Sequence, residues 1–235
     1  MHVGILECGH PPRAVAESQG EFDDMFHRLL GGHGFRFTTW DVEAGEFPDG
    51  PDAADAWLIT GSRHGVYEDH AFIPPLEALI RAIFDAGLPM VGICFGHQII
   101  AQAMGGRVEK FAGGWAIGAR NYAFENIGNL RLNAFHHDQV IDKPPMARTV
   151  AASGFTRHAA LVYGTNVLTV QPHPEFSPAV ITAYLAARGD DPAYPRKVIE
   201  DARSTAADPV DDLQLGDIIA RVLAAKPTPL TKDMT

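Results

Sequence analysis

Only two cysteines occur in this chain, Cys8 and Cys94, so no disulfide framework holds it together and a reduced compartment fits. Each free thiol must then be explained by packing or by chemistry. Basic residues are also scarce: 19 Lys and Arg stand against 29 Asp and Glu, a surplus that would repel a phosphate backbone. Nucleic acid is therefore not an expected partner. No apolar run approaches the roughly 20 residues that a bilayer requires, and the opening MHVGILE lacks the basic head and long apolar stretch of a signal peptide. The expectation is a cytoplasmic protein with no membrane partner. The histidines show neither a His-x3-His spacing nor a two-Cys pattern, so no metal is expected, and no other cofactor either. There is no internal repeat and no low-complexity tract.

What the chain does have is enough apolar material, 46% of its residues, to bury the core of one large α/β domain. His2 to Leu6 reads as a strand, and Phe22, Met25, Phe26, Leu29 and Leu30 fall at helical spacing within 18–30. Phe35 to Val42 and Ala56 to Thr60 read as strands, Leu76 to Phe84 as a helix, and Pro89 to Cys94 as a strand running into a helix over 96–104. Such alternation predicts an α/β fold: a mostly parallel central sheet with helices on both faces and reactive groups beyond the carboxyl ends of its strands. Short β-type runs between Arg107 and Gln171 predict added antiparallel strands. A helix over 178–187, a polar loop and an amphipathic helix over 211–225 follow, before a terminus expected to fray over 226–235. The expected organisation is one domain over 1–235, with residues from about 189 onward forming a helical extension.

Two segments carry chemistry. In GICFGHQ, Gly92 to Gln98, a strand runs into Cys94 with glycines two residues away on either side. A sharp strand-to-helix turn needs small neighbours, and a thiol at a helix start meets the positive end of the helix dipole, which favours the thiolate. The Phe95 amide then points outward, available to an oxyanion. Cys8 has no such setting and reads as a packing residue. In QPHPEF, Gln171 to Phe176, prolines on both sides stiffen the chain around His173. An extended backbone would put His173 and Glu175 on one side, so that the carboxylate fixes the imidazole tautomer and steadies the imidazolium.

Taken together, these two segments resemble the class I, triad-type glutamine amidotransferases, in the free-standing branch similar to the amidotransferase part of GMP synthetase. The resemblance runs from residue 1 to about 188 and implies the flavodoxin-like fold of that family. It implies Cys94, His173 and Glu175 as catalytic residues. It implies an oxyanion hole from the Phe95 amide and from ITGSR, where Gly61 allows the turn and Ser62 supplies the second amide. Gln98 matches the position that touches bound glutamine, and Gly114 and Trp115, in KFAGGWAIG, match the region that holds the substrate's amino-acid end. FHHDQV, 135–140, also resembles a family segment near the active site.

The implied reaction is hydrolysis of glutamine or a related γ-glutamyl compound through a Cys thioester, releasing ammonia. No Gly-rich nucleotide loop of a synthetase occurs in the sequence. Two readings stay open on the same triad: an ammonia-supplying subunit for an ammonia-using synthetase, or a stand-alone γ-glutamyl peptide hydrolase or transferase. A third, a catalytically idle regulatory domain, requires a lost triad member, whereas all three residue types are present.

Overall fold

The structure, a computed structural model, describes residues 1–227. The last part of the expected frayed tail and of the helical extension, 228–235, lies outside the described residues.

The first half is built from three strands buried on both faces and a partly exposed edge strand. β1 (His2–Glu7), β2 (Arg36–Asp41), β3 (Ala56–Ile59) and β4 (Met90–Ile93) pair in parallel, with β1 between β3 and the edge strand β2. Their period-2 alternation divides the core. Val3, Ile5, Leu58, Val91 and Ile93 face one side, where α2 (Phe22–Leu29) and α7 (Asp212–Leu223) contribute Phe26, Leu29, Leu215, Ile219 and Leu223. Leu6, Trp57, Ile59 and Met90 face the other, against α3 (Ile73–Asp85) and α4 (Phe95–Ala103).

Beyond β4 the sheet changes direction. Its order is β2-β1-β3-β4-β11-β10-β9-β6-β7. β11 (Val167–Val170) is parallel to β4, whereas β10 (Ala160–Tyr163), β9 (Ala147–Ala152), β6 (Ala116–Phe124) and β7 (Gly128–His136) continue antiparallel. β5 (Arg107–Lys110) and β8 (Asp138–Asp142) form a separate antiparallel pair. The mixed sheet with helices on both faces agrees with the expected architecture.

Three local expectations are corrected. The helix expected over 18–30 is two helices, α1 (Arg13–Gln19) and α2, because Gly20 takes φ +80° and Glu21 with Asp24 forms a capping box for α2. The helix expected from Leu76 starts at Ile73, with prolines in its first turn, where their missing N–H groups cost nothing. The polar loop after α5 (Pro178–Arg188) contains α6 (Arg196–Thr205), whose Ile199 and Ala202 are buried against Ile117 and the α5 side chains. Its polar composition hid that narrow apolar stripe. α7 packs on its own sheet, as an amphipathic stripe ordinarily does. Among the described residues no helix is long and apolar enough to cross a membrane.

Candidate active site

Cys94 occupies the single residue between β4 and α4, with φ 52° and ψ −101°. A side chain at positive φ is strained, and such strain persists only where the surroundings over-determine it. Here they do. The Cys94 amide donates to the Val170 carbonyl at 2.9 Å and the Gly96 amide to the Thr60 carbonyl at 3.1 Å. A Cβ on Gly92 would come within 2.5 Å of the Gly96 carbonyl oxygen, and one on Gly96 would collide with the Ile59 carbonyl. Both glycines are thus required by backbone packing on either side of the thiol. Among the described residues the amides of Phe95 and Ser62 have no acceptor, so two donors stand free beside the sulfur's turn.

His173 arrives from the other half of the molecule. Its amide donates to the Asn133 carbonyl of β7 at 2.8 Å, and the Asn133 side chain donates to the Phe176 carbonyl at 2.7 Å. Its ring stacks on Phe176 at 4.1 Å, and Phe176 stacks in turn on Tyr184 at 4.7 Å. Nδ1 of His173 lies 2.6 Å from Oε1 of Glu175. The extended segment expected here is instead a turn, closed by the Phe176 amide donating to the His173 carbonyl at 3.2 Å. The pairing is achieved, but by a bend and not by strand alternation.

The two halves meet. His173 and Cys94 line one pocket, and both flank Gly61, where a Cβ would stand 3.0 Å from His173 Cε1 and 3.9 Å from Cys94 Cβ. Burial by itself lowers the basicity of His173, but the Glu175 charge and the Cys94 thiol outweigh it and raise the imidazole to about 10. Close by, burial and the His173 charge push His136 down to about 3, so this second buried imidazole is neutral.

A pocket of about 280 Å³ opens over this pair. Cys94, His173, Ser62, Gln98 and Trp115 line it; Glu175 is bonded to His173, Gly61 lies against His173 and Cys94, and Phe95 is the first residue of α4 directly after Cys94. Gly114 is not among the residues that line it; at φ +88° it bends the chain just before Trp115. Gln98 donates its side-chain amide to Gln171 Oε1 at 3.0 Å and to the Asp138 carbonyl at 2.9 Å. Gln171 Nε2 donates to Cys94 Sγ at 3.5 Å. Sequence reasoning missed Gln171, Asn133 and His136. Gln171, the first residue of QPHPEF, and His136, in FHHDQV, lay in segments already singled out; Asn133 carried no local signal.

A doubly wound sheet with a thiol on a strained turn at its carboxyl edge, facing a His–Glu pair, defines the class as an α/β protein equipped for thiol chemistry. The family follows from comparison. The family model for Glutamine amidotransferase class-I matches residues 38–188, and the chain belongs to that family. It is 31% identical over 176 residues to Gamma-glutamyl peptidase 4 of Arabidopsis thaliana, covering 68% of this chain and 70% of that protein. It is 28% identical over 166 residues to the carbamoyl phosphate synthase small chain of Brucella ovis, covering 64% of this chain and 38% of that one. The solved structure of a glutamine amido transferase from Methylobacillus flagellatus superposes with TM-score 0.77 at 18% identity, over 99% of this chain and 98% of that chain. One from Thermotoga maritima gives 0.73 at 23%, over 96% and 100%. These two structures share the fold.

Proposed function

We propose that this chain hydrolyses γ-glutamyl amide bonds through a thioester on Cys94. The observation that carries the reading is the strained Cys94 turn set against a buried His173–Glu175 pair within one small pocket. The proton of Cys94 rests on the strongly basic His173, and the sulfur attacks the amide carbon. The oxyanion is held by the Phe95 and Ser62 amides, with Gly61 shaping the second donor's turn. His173 returns the proton to the departing nitrogen, and Glu175 steadies the imidazolium meanwhile. Water, deprotonated by His173, then opens the thioester and releases the γ-carboxylate. The Gln171 and Gln98 side chains support this by anchoring to each other next to the sulfur. Trp115 borders the substrate's path. No cofactor is needed in any step.

Of the two outlets for the nitrogen, ammonia for a synthetase subunit or a larger amine from a γ-glutamyl peptide, the pocket favours the second. Its lining, which also includes Glu68 and Asp138, contains Trp115, Tyr194, Arg188 and Lys110, rings and cations that suit a leaving group bearing a carboxylate. The peptidase relative from Arabidopsis supports the same choice. Purified protein, alone, is incubated with glutamine and with a panel of γ-glutamyl amides and peptides, with Cys94→Ser as control. Turnover of peptides above glutamine supports the peptidase outlet. Turnover of glutamine alone supports ammonia supply, and equal rates in wild type and Cys94→Ser would sink the thioester.

A further inference from the structure

Outside the thiol machinery, four side chains on two loops gather beside the same pocket, two of them, His64 and Glu68, lining it. We propose that His64, Glu68 and His70 form a binding site for a divalent first-row transition metal, with Zn²⁺ the best-matched ion and Glu43 supporting His64 from behind. The site stands on residues that the hydrolysis above does not use.

The geometry argues from donors outward. His64 Nε2 lies 2.6 Å from Glu43 Oε1, so the carboxylate takes the Nε2 proton and fixes the tautomer. Nδ1 is left with a lone pair, and it faces Glu68 Oε2 at 3.9 Å. That gap is too long for a hydrogen bond, and it is one that a cation can bridge. His70 Nε2 stands 3.0 Å from the same Glu68 oxygen, and the rings of His64 and His70 are 4.0 Å apart. All three donor atoms lie within 4.8 Å of one another. Tetrahedral zinc with bonds of about 2.0–2.1 Å separates its donors by about 3.3 Å, so small side-chain rotations close the set. The Gly65 amide donates to Glu68 Oε2 at 3.1 Å, which already aims that carboxylate.

Two imidazoles and one carboxylate select zinc-like ions over Mg²⁺ or Ca²⁺, which prefer all-oxygen shells. A histidine ligand whose other nitrogen is held by a carboxylate is the arrangement that raises ligand basicity and fixes ring orientation. On binding, the His70 proton moves from Nε2 to Nδ1, leaving a neutral ligand. The ligands begin two residues after Ser62, whose hydroxyl accepts from the His64 amide at 3.2 Å, so the ion ties down the loop that carries one candidate oxyanion donor. The spacing His64-x3-Glu68-x1-His70 matches neither pattern sought in the sequence and becomes a cluster only when the loop folds back.

The test uses the full chain with Cys94→Ser, so that the thiol cannot compete, freed of metal by a chelator and titrated with Co²⁺ and then Zn²⁺. One equivalent of Co²⁺ is expected to give visible d–d bands that Zn²⁺ abolishes. His70→Ala and His64→Ala are expected to weaken binding at least about 100-fold, and Glu43→Gln by about 10–100-fold, the usual cost of losing a supporting carboxylate. His10→Ala, which breaks the separate Glu7, His10 and Glu21 cluster, is expected to leave the titration unchanged. Absence of a stoichiometric Co²⁺ spectrum overturns the proposal, as does binding that survives both histidine variants or disappears with His10→Ala.

Discussion

Two turns, one in each half of the sheet, hold the candidate site by opposite means. The Cys94 turn is fixed by backbone against backbone: amides bonded across to β11 and β3, and two glycines pressed to neighbouring carbonyls. The His173 turn is fixed by side chains from afar, with Asn133 of β7 holding both its start and its end and Phe176 stacked beneath the ring. A strained residue needs a rigid cage because its alternatives are lower in energy. A general base needs only correct aim, which a hydrogen bond and a ring can supply.

Substitutions can break or sharpen that contrast. The largest effect is expected for Cys94→Ala, which should lower γ-glutamyl amide turnover by roughly 10⁴–10⁶-fold while leaving the far-UV circular dichroism intact. His173→Ala should cost roughly 10²–10⁴-fold in the rate of thioester formation, read by acid-quenched mass spectrometry. A near-normal rate would remove His173 from the role given to it. Gly96→Ala should cost about 3 kcal/mol or more in urea unfolding, since the clash is with backbone and cannot be relieved by a rotamer. Asn133→Ala should cost less, about 1–3 kcal/mol, by leaving the Phe176 carbonyl unpaired. If the last two prove equal, the distinction between a caged turn and an aimed turn fails.

The smallest effects lie in the pH dependence of stability, and again the halves differ. His97, on α4, is buried with Nδ1 2.7 Å from the Thr169 hydroxyl and is pushed down to about 3 by burial and by nearby histidines. Its contribution is complete above its ordinary value near 6.5 and is lost as pH falls toward 3. His173 is raised to about 10, so its contribution is complete below about 6.5 and is lost as pH rises toward 10. His97→Asn should flatten the acid limb and His173→Asn the alkaline limb, each by up to about 1.4 kcal/mol per pH unit in denaturant titrations. A change on the wrong limb would contradict the assignments.

Short-range rules make one half legible. The glycines spaced around Cys94, the apolar strands β1, β3 and β4, and the stripe on α7 are patterns within a few residues, so spacing revealed them, although what presses on Gly96 is the distant Ile59 carbonyl. Gly20 splitting α1 from α2, and α6 inside a polar stretch, were hidden because a cap and a narrow stripe leave weak local traces. The pairing of His173 with Glu175 was foreseen for an imperfect reason, since a turn and not an extended strand brings them together.

The sequence by itself determined which residue types could do thiol chemistry and the backbone stiffness around each, because glycine, proline and hydrophobic period act within a few residues. Only the tertiary structure decided that Cys94 and His173 share one pocket, that Asn133 and Gln171 steady them, and that His64, Glu68, His70 and Glu43 come together beside it. Those meetings depend on β11 slotting beside β4 and on loops folding back over the sheet's carboxyl edge. Such choices are made by burial of the whole core and leave no mark in any single stretch of chain.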